Sequence, residues 1–159
     1  MSAAIATGRH DMATPGEDKD AIRELFSAYC FHMDDGRYAE LGALFTADGE
    51  WIARYARARG PAEIAALMAA NIPAEPKRKH FIMNGLIRLD GDRAGARTSY
   101  LVVLQAAGAG LVPSVAGTYE EVLERTADGW RFRERRLVHD LAAELGLNLP
   151  SPRGGPAGT

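Results

Sequence analysis

A histidine, an aspartate and two tyrosines are the side chains of this sequence whose types suit proton-transfer chemistry. His80 carries an imidazole, which has an unperturbed pKa of ~6.5 and can take a proton from carbon or water near neutral pH. A carboxylate, such as that of Asp34, can fix the tautomer of an imidazole and stabilise the imidazolium as it forms. The phenols of Tyr29 and Tyr55 can donate a hydrogen bond to a carbonyl or a proton to a leaving hydroxyl.

Each of these residues also has a purely structural interpretation. Asp34 stands beside Asp35 at the predicted end of a helix, where acidic pairs are often solvated. His80 alternates with apolar residues, as a hydrogen-bonded core histidine does, and Tyr29 completes an apolar helical stripe, so packing explains it fully. The residues taken singly therefore leave the catalytic and the structural roles open.

Other noticeable side chains have less specific interpretations. Trp51 is predicted to be core or pocket wall, and Asn84 shares the strand phase of His80 and could line a pocket. Cys30 lies in the helical stripe, which predicts an inert buried thiol. The phase of His139 on the last predicted strand is unresolved. An arginine run indicates a solvated strand face, with a charged interface as the alternative: Arg131, Arg133, Arg135 and Arg136.

The composition is that of one globular domain. The chain has 159 residues, of which 47% are hydrophobic and 25% charged, and 19 basic against 21 acidic residues give a net charge of −2. This balance disfavours nucleic acid and anionic membranes as partners. The single cysteine excludes an internal disulfide and fits a reducing compartment. With neither a membrane-length apolar run nor a signal-peptide pattern, a cytoplasmic location is expected.

Helices are predicted in the first half of the chain. The first has an apolar face at steps of three and four residues, with acids at its start and Asp34-Asp35-Gly36 at its end; the face consists of Ile22, Leu25, Phe26, Tyr29, Cys30 and Met33. A shorter helix runs from Tyr38 through Phe45. A strand then begins at Glu50, with Trp51, Ala53 and Tyr55 on its inner face, and Pro61 suits the first turn of a third helix.

Long antiparallel strands are predicted in the second half, at 79–89, 94–106, 115–126 and 130–140, joined in pairs by hairpin signals. In the first of them, His80, Ile82, Asn84 and Leu86 are predicted to face one way, and Phe81, Met83 and Ile87 the other. Since both faces are largely apolar, helices should cover one, and a second subunit is the simplest cover for the other. A homodimer through the outer sheet face is therefore expected.

The predicted order, helices followed by a curved antiparallel meander, is an α+β class. The domain is expected to span 17–149, between flexible tails at 1–16 and 150–159, because neither end has a periodic apolar face.

The chain resembles the SnoaL-like, or nuclear-transport-factor-2-like, superfamily from about Asp18 to Asp140. The resemblance lies in Tyr29 and Asp34 at a spacing of five, in the segment 44–51, and in the segment 79–84 around His80. It implies a cone in which N-terminal helices pack on a strongly curved, mostly antiparallel sheet and enclose a pocket for a small hydrophobic molecule. The branch most similar is that of scytalone dehydratase, bile-acid dehydratase and dehydrochlorinase.

The resemblance also implies a site. Residues at the positions of His80 and Asp34 form a dyad in the eliminating members, and Tyr29 matches a pocket tyrosine; Tyr55, Asn84 and Trp51 are the expected substrate contacts. Two departures from the sequences of family members narrow the choice of mechanism. The stretch 99–105 lacks the second histidine of scytalone dehydratase, and Ala53 stands near the position of the ketosteroid isomerase aspartate.

The expected activity is therefore that of a lyase, a dehydratase or eliminase, acting on a hydrophobic cyclic substrate with the dyad as general base. No metal or organic cofactor is implied, because the sequence has neither a ligand cluster nor a phosphate loop. A cyclase or isomerase using the same dyad is one alternative. A noncatalytic ligand-binding or assembly module, like the small subunit of a ring-hydroxylating dioxygenase, is the other.

Overall fold

The structure is a computed structural model that describes residues 13–73, 75–108 and 110–142. The three helices all precede the four long strands, as the sequence predicts. The helices are α1 (Pro15–Asp34), α2 (Tyr38–Gly42) and α3 (Gly60–Asn71). The strands are β1 (Phe45–Ala53), β2 (Ala56–Arg59), β3 (Arg78–Asp90), β4 (Arg93–Ala106), β5 (Gly110–Thr126) and β6 (Gly129–Ala142). None of the described helices is long and apolar enough to cross a membrane.

The strands form one curled, open sheet in the order β2-β1-β6-β5-β4-β3. Every neighbouring pair is antiparallel except β1 and β6, which run parallel. The predicted α+β class is confirmed. The sheet order also brings β1, from the helical half of the chain, beside the last strand.

Helix α1 begins with a capping box. The Thr14 hydroxyl accepts a hydrogen bond from the Glu17 backbone N–H at 3.3 Å, and the Glu17 carboxylate accepts one from the Thr14 backbone N–H at 2.7 Å. The helix therefore starts at Pro15, inside the segment predicted as a tail. The rest of that tail, 1–12, and the predicted C-terminal boundary at 150 lie outside the described residues.

The core lies between the helices and the inner face of the sheet. The predicted stripe of α1 is buried there, and Ile64 and Met68 of α3 join Phe132 of β6 and Leu123 of β5. At the start of α1, Asp18 accepts hydrogen bonds from Arg125 and from the Trp130 indole, at 2.6 and 3.1 Å. These bonds fix the N-terminal half of α1 to the last hairpin.

Two predicted boundaries around β1 are wrong. The shorter helix ends at Gly42 instead of including Phe45, because Phe45 already pairs with Phe132 of β6. β1 also ends at Ala53, and the chain turns back into the unpredicted strand β2, so Tyr55 lies in a turn and not on the inner face of β1.

Among the bulges of the sheet, one in β3 and one in β6 alter the side-chain alternation expected from the sequence. Between Met83 and Leu86 the register of β3 shifts, and Asn84 at the bulge has a positive φ of 53°. As a result Ile87 packs against the core and Leu86 is 67% exposed, the reverse of the predicted faces. A second shift occurs in β6, between Phe132 and Glu134.

Candidate functional site

The structure brings His80 and Asp34 into direct contact. Nδ1 of His80 lies 2.6 Å from Oδ1 of Asp34, and the backbone N–H of His80 donates to the other carboxylate oxygen at 3.1 Å. The Lys79 ammonium lies 3.8 Å from the same carboxylate. Since an ionised carboxylate can only accept, the Nδ1 contact assigns a proton to Nδ1 and leaves the lone pair of a neutral ring on Nε2.

Two elements position this pair. Asp34 is the last residue of α1, and His80 is the third residue of β3, which packs beside α1. The Asp34 side chain is 3% exposed and the His80 side chain 11% exposed. The carboxylate is therefore held in the protein, while a small part of the imidazole remains accessible.

Tyr29 and Trp51 form a second hydrogen-bonded pair in the interior. The Trp51 indole N–H donates to the Tyr29 hydroxyl at 2.9 Å. Burial raises the pKa of Tyr29 to about 12, so its phenol stays protonated at any working pH. Because the oxygen acts as acceptor toward Trp51, the phenolic hydrogen is not used in any hydrogen bond among the described residues.

Arg135, which lies next to this pair, was missed as a site residue. The side chain is fully buried, and its guanidinium carbon lies 3.8 Å from the ring centroid of Tyr119 and 4.0 Å from that of Tyr29. Nη1 lies 3.2 Å from Oε1 of Glu121, itself fully buried. Within the described part of the chain, Nε, Nη1 and Nη2 have no acceptor in hydrogen-bond geometry. A desolvated cation with free donors thus stands in the interior.

The prediction of a solvated face for the arginine run is wrong at Arg135, and the bulge in β6 is the reason. Alternation from Phe132 would place Glu134 inside, but the shift makes Glu121 of β5 the partner of Arg135 and turns the guanidinium inward. A usable signal was present in β5. Glu121 alternates with the apolar residues Tyr119 and Leu123, as a charge on an inner face does.

The partner of Arg135 is an unusual carboxyl group. Burial raises the pKa of Glu121, while the positive charge of Arg135 and a hydrogen bond from the Thr98 hydroxyl, at 3.3 Å, act in the opposite direction. The nearby Cys30 thiol is buried, and burial raises its pKa to about 11. The cysteine is therefore a protonated packing group at neutral pH.

The three predicted substrate contacts lie in different surroundings. Trp51 is buried in the core and contacts the ring of Tyr55, with 6.3 Å between ring centroids. Tyr55 is 44% exposed, and its ring also lies 5.7 Å from that of His139. Asn84 is exposed at the bulge of β3 and is not in contact with the dyad in any described hydrogen bond.

Two grooves on the surface of the described residues are lined by side chains other than His80, Asp34 and Tyr29. One, of about 480 Å³, lies on the outer face of the sheet around Leu86, Arg97 and Val122. The other, of about 350 Å³, lies beside Tyr55 and His139. The interior near Tyr29 is instead filled by Arg135 and the aromatic rings. Among the described residues, no group of three or more His, Cys, Asp or Glu side chains could hold a metal ion.

Comparisons agree on one family. The sequence model of the SnoaL-like domain matches residues 16–136. No curated protein matches the sequence. Among solved structures, an NTF2-like protein with a cystatin-like fold from Novosphingobium aromaticivorans is 28% identical, with a TM-score of 0.72, over 80% of this chain and 85% of that one.

Two further structures share the fold. A protein of unknown function from Mycobacterium tuberculosis is 25% identical, with a TM-score of 0.71, over 77% of this chain and 76% of that one. A protein assigned as the β subunit of an aromatic-ring-hydroxylating dioxygenase from Novosphingobium aromaticivorans is 23% identical, with a TM-score of 0.68, over 78% and 90% of the two chains. The last likeness concerns the fold alone.

Proposed function

The chain belongs to the SnoaL-like domain family, and from that premise we propose that it is a lyase of the dehydratase or eliminase type acting on a hydrophobic cyclic compound. The observation that carries the proposal is the contact between His80 Nδ1 and Asp34 Oδ1, at 2.6 Å. A carboxylate that accepts a hydrogen bond from the Nδ1–H group orients the ring and leaves Nε2 as the base.

The proposed reaction is a cofactor-independent elimination. Nε2 of His80 takes a proton from a carbon next to a carbonyl, the C–H electron pair forms the new double bond, and the C–O bond on the adjacent carbon breaks. The leaving hydroxyl takes a proton and departs as water. The donor is the imidazolium or the phenol of Tyr29, whose hydrogen is not used toward Trp51.

Arg135 supports this chemistry electrostatically. Removing a proton next to a carbonyl places negative charge on the carbonyl oxygen, and a buried cation with free donors stabilises such charge far better than water-exposed groups do. Glu121 balances the charge of Arg135 while the site is empty. We therefore include Arg135 with His80, Asp34 and Tyr29 in the proposed site.

The test uses a simple cyclic β-hydroxy ketone, 3-hydroxy-1-tetralone, whose loss of water gives 1-naphthol. The wild-type protein should accelerate formation of the naphthol, followed by absorbance, and exchange of the C2 protons in D₂O, followed by NMR. His80→Ala should lower both rates by about 10²–10⁴-fold. His32→Ala, a histidine on α1 outside the proposed site, is the matched control and should keep both rates.

The same experiment separates the alternatives. Exchange at C2 without loss of water, still dependent on His80, would favour a cyclase or isomerase that uses the dyad as a proton shuttle. Absence of both reactions would favour a noncatalytic binding or assembly module. The noncatalytic module is favoured by one observation, because Arg135 and the rings around it fill the interior. It also suits the fold likeness to a dioxygenase β subunit.

We also propose a homodimer through the outer face of the sheet. The exposed apolar side chains of this face include Phe81, Met83, Leu86 and Val122, which a monomer would leave in water. The face also carries a row of paired residues of opposite charge across β4, β5 and β6, namely Arg97, Glu120 and Arg136. Such a row can match a second copy of itself about a two-fold axis.

A further inference from the structure

A groove of about 350 Å³ forms where β1 and β6 part. Pairing between the two strands ends at Ile52 and Arg136. Beyond that point β1 turns away at Arg54 and Tyr55, whereas β6 continues to Ala142. The groove between them is lined by apolar residues of both strands together with Tyr55, His139 and two arginines, Arg54 and Arg136, and its volume falls in the range of small-molecule sites.

Aromatic rings connect this groove to the interior. The Tyr55 ring packs at 47° to the His139 ring and also contacts Trp51, with the centroids 6.3 Å apart in the second pair. Trp51 in turn donates its hydrogen bond to Tyr29. On the other side, the His139 ring lies 6.2 Å from that of Tyr100. Trp51 therefore links Tyr55, which lines the groove, to Tyr29 of the proposed active site.

The two arginines at the groove differ in whether a carboxylate is paired with them. Arg136 is paired with Glu134 at 2.9 Å. Arg54 is exposed and, within the described part of the chain, has no carboxylate within 4 Å. Asp140, the acid next to His139, accepts a hydrogen bond from Thr118 at 2.9 Å. One guanidinium at the groove is thus free to meet an anion.

We propose that this groove binds an aromatic carboxylate, with its ring on Tyr55 and His139 and its carboxylate on Arg54. The ring system offers the face and edge contacts that planar π-systems prefer. A guanidinium matches a carboxylate with two parallel hydrogen bonds. The proposal rests on the proposed function in that it assigns an aromatic carboxylate group to the hydrophobic cyclic substrate.

Burial of His139 agrees with this use, because it lowers the pKa of the imidazole and keeps the ring neutral at pH 7. A neutral ring stacks on an aromatic ligand without adding a charge. The selectivity for an acid then depends on Arg54.

The test is binding, which needs no turnover. 2-Naphthoate is the probe and 2-naphthalenemethanol its neutral counterpart, both titrated into the full chain by calorimetry and by ligand-observed NMR. The wild-type protein should prefer the acid. Arg54→Gln should lower the affinity for the acid about 2–5-fold, the range of an exposed ion pair, and remove the preference. Tyr55→Ala should weaken both ligands about 2–10-fold.

Arg57→Gln is the matched control, because Arg57 is an exposed arginine on β2 that is already paired with Glu50; it should leave both affinities unchanged. Because the binding assay needs no elimination, failure of the elimination assay and failure of the groove to bind the probe are distinguishable. The groove proposal is overturned if the wild-type protein binds neither probe at millimolar concentration. It is equally overturned if Arg54→Gln keeps the preference for the acid.

Discussion

Asp34 holds His80 at two points, with one carboxylate oxygen on the imidazole Nδ1 at 2.6 Å and the other on the backbone N–H of the same residue at 3.1 Å. The first contact orients the ring, and the second fixes the strand that carries it to the end of α1. The tautomer of His80 and the position of β3 are therefore set by one buried carboxylate. Substitutions of Asp34 can therefore separate its effect on catalysis from its effect on folding.

Asp34→Asn should impair catalysis more than folding. An amide has one acceptor oxygen, so it can keep only one of the two contacts, and its NH₂ group placed at Nδ1 would reverse the tautomer. We expect the rate of C2 exchange to fall about 10²-fold or more, and the ¹⁵N shifts of the imidazole to report a changed tautomer.

Asp35→Asn is the control for this substitution. Asp35 is the adjacent acid, half exposed and paired with Arg37 at 3.0 Å, so it tests loss of a carboxylate at the same helix end. We expect an unchanged exchange rate. Equal rates in the two variants would show that Asp34 does not orient the base.

The buried pair of Arg135 and Glu121 should show strong coupling in a double-mutant cycle. Glu121→Gln leaves a buried guanidinium without its counter-charge, which destabilises the fold. Arg135→Met should cost less, because a lone buried Glu121 can protonate. The double variant should be more stable than the sum of the two costs predicts, as measured by urea unfolding. Additive costs would mean that the two charges do not interact.

The raised pKa of Glu121 predicts how stability depends on pH. Because burial raises the pKa, the folded state holds the proton more tightly than the unfolded state does, where the value is ~4.3. Stability from this group is thus present below pH ~4.3 and is lost as pH rises toward the raised folded pKa. The stability of wild type minus that of Glu121→Gln should decline over this window.

The stability of wild type must be compared with that of Glu121→Gln at each pH, because other acids make the stability depend on pH in the opposite direction. The pKa of Asp18 is lowered by its hydrogen bond from Arg125, so its contribution is lost as pH falls below ~3.9. Glu24→Gln, on the exposed face of α1, supplies the control and should give a flat difference. A flat difference for Glu121→Gln as well would contradict the assignment.

The sequence predicted the order of elements well, because helical stripes and hairpin signals are local. It also singled out both members of the dyad. Their pairing, however, came from the family resemblance, since the two residues are far apart in the chain and no local period relates them. The backbone contact of Asp34 with His80 depends on the packing of α1 beside β3, which a strand pattern does not contain.

The misplaced residues share a physical cause. Alternation assumes an unbroken period of two, and a bulge shifts every later side chain to the other face. This is why Leu86 and Ile87 exchange sides and why Arg135 is buried. Tyr55 was misplaced for a related reason, since the turn after Ala53 ends the strand that was expected to carry it.

The proposed dimer is tested by a charge placed on the outer sheet face. Leu86 is 67% exposed and lies with Val122 in the groove of that face. If two copies pack there, Leu86→Lys buries an unpaired ammonium at the interface and should shift the protein to monomer. Phe31→Lys is the control, because Phe31 is also well exposed, at 58%, but lies on α1, on the other side of the sheet. Sedimentation velocity at micromolar concentration should show a dimer for wild type and for Phe31→Lys, and a monomer for Leu86→Lys. A wild-type monomer, or a Leu86→Lys dimer as stable as the wild type, would show that this face is not the interface.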